Sequence, residues 1–225
     1  MGGNSRPTRT AFHTKDYTVR GIDGRLPVAQ KIVAIVGSYR KGGTIDSAVQ
    51  AILSAAREKG AQTHTLYLTD QHLEFCTNCR RCTQAPGLQR GICVQQDDLQ
   101  SILTEIDAAD ALILGAPVNY WNVSAIFRRF MERLLGYCYW PWGQGAPRMR
   151  NKRLTRKAVL ISSSSMPGFC IPLFTGAARA LRVTAKMLGI KPVASLWIGL
   201  RGKEPDQPLS PRTLARPRRI GLTLA

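Results

Sequence analysis

The stretch "CTNCRRCTQAPGLQRGIC", residues 76–93, sets Cys76, Cys79 and Cys82 three positions apart and adds Cys93 after ten further residues. Three thiolates in this register can wrap a [4Fe–4S] cluster, with Cys93 as the fourth ligand. Zinc can use the same four, although its tetrahedral sites more often pair two separated Cys-x-x-Cys knuckles. Arg80 and Arg81 would offset the charge of an anionic cluster or lower the thiol pKa values. Cys138 and Cys170 stand apart and read as packing thiols.

Three further stretches carry ligand chemistry. "GSYRKGGT" offers Gly37, Gly42 and Gly43 for close backbone approach, Ser38 and Thr44 as hydroxyl donors, and Arg40 and Lys41 as positive charge. If it joins a strand to a helix, its free amides and the helix dipole favour an anion. It lacks the Gly-Lys-Ser/Thr of a Walker loop and is not GxGxxG, so a monophosphate fits better than a triphosphate or a dinucleotide. "GAPVNYWNV" brings Pro117, Val118, Tyr120 and Trp121 together with the amides of Asn119 and Asn122. Such a set suits the faces and polar rim of a planar heteroaromatic ring. "SSSSMPGF" has no GxSxG elbow, so Ser163 and Ser164 read as hydrogen-bond donors, not nucleophiles. A phosphate loop beside a ring loop describes a mononucleotide, and FMN fits both.

No convincing acid/base pair accompanies these loops. His13, His64 and His72 are scattered, and His64 reads as a strand-face residue. The redox chemistry would then belong to the cofactor, with no catalytic side chain.

The elements that must position the loops follow from apolar periodicity. Strands are expected at 31–37, 63–69, 109–118, 157–165 and 192–200, the first ("KIVAIVG") a short β-branched run of the kind buried in parallel sheets. Helices are expected at 46–59, from Leu99 through Ile106, at 123–135 and at 174–188. Ser210 and Pro211 look like the cap and first position of a terminal helix, which Pro217 should break or kink. Strands alternating with helices give an α/β three-layer sandwich with a parallel sheet and right-handed crossovers. Residues 1–30 are expected to form a flexible arm, 31–200 the domain, and 201–225 a basic tail or short helix.

Apolar residues make up 44% of the chain, which excludes a disordered polymer. No apolar run is long enough to span a bilayer, and residues 1–30 hold no signal-peptide block. Six cysteines without a secretion signal favour reduced thiols and a cytoplasmic protein. The net charge of +18 is uneven: residues 1–140 hold 16 basic and 12 acidic groups, residues 141–225 hold 16 and 2. "PRMRNKRLTRK", with six basic groups, reads as a solvated surface loop; no recognition helix or stacking motif accompanies it, so no specific nucleic acid is expected.

Taken together, "GSYRKGGT", the four-cysteine segment closed by "CVQQDDL", and "GAPVNYWNVSAIFRRFMER" make the chain resemble the NAD(P)H-dependent FMN reductase and iron–sulfur flavoprotein group of flavodoxin-like proteins. The resemblance covers roughly residues 31–200 in order. It implies a flavodoxin-like sheet of order 2-1-3-4-5, bound FMN, hydride uptake from NAD(P)H, and a homodimer or homotetramer with the flavin near the interface. Ser38, Arg40, Gly43 and Thr44 fall where such proteins hold the FMN phosphate. Pro117, Val118, Asn119, Tyr120 and Asn122 fall where they hold the ring. Two positions depart from the pattern: the usual Asn-Thr pair reads Thr44-Ile45, and Tyr39 stands where Pro is common. The gap before Cys93 exceeds that of the compact iron–sulfur motif. Many proteins of this resemblance keep such cysteines without metal, as a lid or dimer contact, and that is the favoured expectation over a [4Fe–4S] cluster on Cys76, Cys79, Cys82 and Cys93.

The expected activity is therefore an FMN-dependent oxidoreductase passing electrons from NAD(P)H to a quinone, a nitro or azo compound, a metal ion or a protein. The alternative is a flavodoxin- or iron–sulfur-flavoprotein-type electron carrier without reductase activity. A strongly basic chain suits that alternative poorly, because carriers that dock on positive partners need an acidic face.

Overall fold

The computed structural model describes Met1, residues 30–203 and residues 208–225. The N-terminal arm expected at 1–30 lies almost wholly outside the described residues.

Five strands form one sheet: β1 (Lys31–Val36), β2 (Gln62–Tyr67), β3 (Ala111–Gly115), β4 (Arg156–Ser163) and β5 (Ile190–Ile198). Their order is β2-β1-β3-β4-β5, and every pairing is parallel. Lys31 faces Gln62, Ile32 faces Ala111, and Ala111 faces Lys157, so the strands begin and end almost level. β1 and β3 are buried on both faces, which is why their sequences are unbroken apolar runs.

The helices are α1 (Thr44–Arg57), α2 (Leu99–Asp107), α3 (Ala125–Glu132), α4 (Cys170–Phe174), α5 (Ala177–Met187) and α6 (Pro211–Leu224). On one face, Ile32, Ala34 and Ile113 pack against Val49, Ile52 and Leu53 of α1, with Leu224 of α6. On the other, Val33, Leu112 and Leu160 meet Leu103 of α2, Phe127 and Phe130 of α3, and Leu181 of α5. Phe127 and Phe130 stack edge to face at 5.9 Å. This is the three-layer flavodoxin-like sandwich read from the sequence.

The helices differ from expectation in three places. The helix expected at 174–188 is α5, starting at Ala177 behind its cap Gly176, and a short further helix, α4, precedes it, ended by the extended Thr175 (φ −124°). A Cβ at Gly176 would lie 2.7 Å from the Asn122 amide nitrogen, so the chain must turn there without a side chain. α3 ends at Glu132 and continues as a 3₁₀ turn over Arg133–Tyr137. The terminal helix forms with Ser210 as its cap, its hydroxyl accepting from the Thr213 amide at 3.2 Å, and runs without a break through Pro217. It lies against α1 so closely that a Cβ at Gly221 would sit 2.2 Å from the Ile52 carbonyl oxygen.

Candidate functional site

Beyond the carboxyl ends of the strands lies a cleft of about 710 Å³. Its walls are the β1–α1 turn (Ser38 to Ile45), Pro117–Asn119 after β3, Ser163–Ser165 after β4, and Arg201 and Gly202 after β5, closed by Leu209 and Leu214.

The β1–α1 turn is built by short-range bonds. Gly42 takes φ +76°, a left-handed conformation that favours glycine. Its amide donates to the Asp46 carboxylate at 2.6 Å, and the Arg40 amide donates to Ser38 Oγ at 3.2 Å. Gly37 lets β1 approach α3, since a Cβ there would lie 2.6 Å from Phe127 Cβ. Ser124 caps α3 and donates its hydroxyl to the Gly37 carbonyl, locking turn and helix together. Tyr39, in the place where Pro is common, accepts the Ile126 amide at 3.2 Å.

Thr44 and Ile45 open α1 at the cleft wall, where first-turn amides have no intrahelical acceptor and the helix dipole is positive. Arg201 Nε donates to Thr44 Oγ1 at 2.9 Å, bringing a guanidinium to the same turn. Among the described lining residues, Arg40 and Arg201 are cationic and there is no carboxylate. Asp46 lies outside the lining, held by the Gly42 amide and by the Tyr67 hydroxyl at 2.8 Å. Burial, then that hydrogen bond, raises the Tyr67 phenol above its ordinary value. The electrostatics therefore favour an anion at this turn.

Of the residues read from the sequence, the cleft brings together Ser38, Arg40, Gly43, Thr44, Pro117, Val118, Asn119, Ser163 and Ser164. Tyr120, Trp121 and Asn122 are not in its lining. Val118 pairs with Val123 and Asn119 with Asn122, which leaves Tyr120 and Trp121 as a two-residue hairpin turn with φ of 47° and 64°. They are 99% and 61% exposed. The Trp121 carbonyl accepts from the Gly176 amide at 2.8 Å, which sets the hairpin beside α4 and its exposed Phe169, Leu173 and Phe174. Sequence reasoning missed Arg201; its place directly after the last strand, at the edge where ligands bind, is the signal that points to it.

None of the described histidines reaches the cleft. His64 pairs with Glu105, and His72 with Glu74 at 3.0 Å. His13 lies outside the described residues.

The cysteine segment is pinned by arginines. Asp97 and Arg133 form an ion pair whose side chains are 0% and 1% exposed, with contacts of 2.5 and 3.2 Å. Asp97 also accepts the amides of Glu74 (2.8 Å) and Leu99 (3.1 Å), so one carboxylate closes both ends of the segment. Burial would raise its pKa, but the guanidinium and the two amides outweigh burial and hold it below the ordinary value. Arg133 also reaches Cys93 Sγ at 3.4 Å. Arg80 sits between Trp140 and Trp142, 3.6 and 4.2 Å from their ring centres, and donates to the Trp140 carbonyl at 2.7 Å. Arg150, buried, donates to the carbonyls of Gly136, Ala85, Gly87 and Cys82 at 2.8–3.3 Å. Arg156 donates to carbonyls at the ends of α2 and α5. The run "PRMRNKRLTRK" is therefore not wholly solvated: Arg150 and Arg156 are carbonyl clamps.

The Cys82 thiol is pushed up to about 11, first by burial and then by Cys93, Cys76 and Cys79. Cys79 is exposed and lowered, chiefly by a backbone hydrogen bond from Arg81. Among the described residues no three His, Cys, Asp or Glu side chains group as metal ligands.

This is a flavodoxin-like α/β protein with a cationic, hydroxyl-lined turn at the carboxyl edge of its sheet. A family model described as NADPH-dependent FMN reductase matches residues 30–194, and the chain belongs to that family. It is similar to an iron–sulfur flavoprotein of Archaeoglobus fulgidus, 33% identical over 115 residues, covering 51% of this chain and 50% of that protein. An iron–sulfur flavoprotein of Methanocaldococcus jannaschii is 35% identical over 103 residues, 46% of this chain and 51% of its own. The chain thus spans about half the length of the curated relatives it matches. Among solved structures it resembles an NAD(P)H:quinone oxidoreductase from Methanothermobacter marburgensis, with a TM-score of 0.64 and 19% identity over 88% of this chain and 100% of that one. A flavone reductase gives a TM-score of 0.57 at 18% identity, covering 87% and 62%. At these identities the structural likeness speaks to fold alone. Among the described residues, no helix is long and apolar enough to cross a membrane.

Proposed function

We propose that the chain is an FMN-dependent oxidoreductase that takes hydride from NAD(P)H and passes electrons to a small acceptor (a quinone, a nitro or azo compound, a metal ion) or to a protein. The observation that carries this reading is the cleft itself. A cationic, hydroxyl-rich turn without a carboxylate in its described lining adjoins a wall of Pro117, Val118 and Asn119.

Bound there, FMN would supply the redox chemistry, accepting hydride and releasing electrons. Ser38, Arg40, Gly43 and Thr44 hold its phosphate through hydroxyls, first-turn amides and charge, with Arg201 as a further cation. Pro117, Val118 and Asn119 border the ring, while Ser163 and Ser164 donate to its polar rim or to the ribityl chain. Leu209 and Leu214 screen the phosphate end from water. No side chain need act as acid or base, in keeping with histidines that sit elsewhere.

The assembly is a homodimer or homotetramer. Tyr120, Trp121, Phe169, Leu173 and Phe174 form an exposed apolar face next to the cleft, and a second copy would bury it. The four-cysteine segment serves as a lid or dimer contact beside the flavin, without metal. Six unpaired thiols suit a reducing compartment, and we place the protein in the cytoplasm.

Protein purified from a flavin-replete host should carry a flavin spectrum and oxidise NAD(P)H steadily with a simple quinone. Colourless protein that rebinds no FMN overturns the reading. Bound flavin without NAD(P)H oxidation gives the carrier alternative instead.

A further inference from the structure

A second cavity, of about 340 Å³, lies between β5 and α6. Leu196, Ile198 and Leu209 give it apolar surface, and Arg201, Arg212 and Arg216 give it charge. Among the described lining residues there is no carboxylate. It shares Arg201 and Leu209 with the main cleft, so the two adjoin, with Arg201, bonded to Thr44 of the β1–α1 turn, at their boundary. The α6 wall lies beyond residue 194, where the family match stops.

We propose that this groove binds the phosphorylated adenosine half of a dinucleotide. Three guanidiniums around an apolar floor match a moiety that combines phosphate anions with a flat, weakly polar base. Arg201 is tied to Thr44, and Arg216 Nη2 donates to the Ser195 carbonyl at 3.0 Å, so two of the three are held in place before any ligand arrives. Guanidinium forks match phosphate oxygens in geometry as well as charge. An adenylate attached to a flavin phosphate at the β1–α1 turn would lie on the Arg201 side of that turn, next to the groove. Two molecules present this chemistry: FAD, through the adenylate attached to its flavin phosphate, and NADPH, through its adenosine carrying a 2′-phosphate. The proposal rests on the flavin reading of the main cleft.

The test compares wild type with R212A/R216A and with R219A, an exposed α6 position outside the groove lining. Flavin fluorescence titration gives the ratio of FAD to FMN affinity, and steady-state kinetics give the ratio of NADPH to NADH kcat/KM. Loss of two charged hydrogen-bonding groups should lower one of these ratios about tenfold or more in the double variant, and leave both unchanged in R219A. A fall in the FAD ratio alone names FAD as the source; a fall in the NADPH ratio alone names NADPH. If R212A/R216A changes neither ratio, or R219A matches it, the groove is not such a site. If wild type binds no flavin, the flavin reading fails separately, and the groove is then tested with adenosine 5′-monophosphate and adenosine 2′-monophosphate by calorimetry. Binding of either, weakened in the double variant, keeps the proposal; binding of neither ends it.

Discussion

Replacing Asp97 by alanine should be the most damaging single polar substitution in the cysteine segment. The Asp97 carboxylate receives two bonds from Arg133 and one each from the amides of Glu74 and Leu99, in a site where both side chains are excluded from solvent. Its removal strands a guanidinium that keeps the Glu74 carbonyl and Cys93 Sγ as partners, while its Nε already has none. Breaking a buried pair from one side costs about 3–5 kcal/mol. That is a large fraction of a typical domain stability of about 5–15 kcal/mol. Urea unfolding should report the loss, and D97L/R133L should recover most of it, because no charge is then left buried. Since Asp97 ties both ends of the segment, thiol labelling of Cys93 and Cys82 should also speed up in D97A. The pH dependence has a defined sign. A depressed folded-state pKa gives stability that is present above the ordinary carboxyl value of 3.8 and is lost as pH falls through the folded value. The gap between wild type and D97N should therefore shrink only in acid below that value. A loss under about 1 kcal/mol in D97A, the range of an exposed pair, with thiol labelling unchanged, would refute this account.

Alkylation with iodoacetamide near neutral pH should modify Cys79 first and Cys82 among the last, because the one thiol is exposed and lowered and the other is held near 11; mass spectrometry reads the order. Protein prepared without oxygen should contain no stoichiometric iron or sulfide, whereas about four of each per chain, lost in C79A, would establish a [4Fe–4S] cluster. R201A should weaken FMN about tenfold and riboflavin hardly at all, since riboflavin lacks the phosphate; equal weakening of both in a fluorescence titration contradicts the assignment. W121E/F174E should shift the mass measured by light scattering towards the monomer, and an unchanged mass removes that face from the assembly.

The sheet was legible because β1, β3 and the middle of β4 (158–161) are apolar runs, and α1 because Val49, Ile52, Leu53 and Ala56 recur at helical spacing and are all buried. The β1–α1 turn was legible for a local reason: Gly42 and the Ser38 hydroxyl lie within a few residues of the groups they bond. Arg201 was not, since its partner Thr44 is 157 residues away. Arg150 and Arg156 read as solvated for the same reason: nothing in a basic run tells which guanidinium will meet a distant carbonyl. The hairpin at Tyr120 and Trp121 carries no Asn-Gly signal, and its positive φ values arise from pairing Val118 with Val123. The split between α4 and α5 depends on Asn122 reaching Gly176, again a contact between segments.

The close seat of Gly221 on α1 sets a timetable for the chain during synthesis. Ile52 and Ala55 leave the ribosome about 170 residues before the glycine that covers them, which at about 5–20 residues per second is a wait of roughly 8–34 seconds. Through that interval β1, β2 and α1 can assemble, but the outer face of α1 stays open to water, to chaperones and to other nascent chains. That face of the sandwich is therefore completed only after α6 has been made, long after the helix it covers.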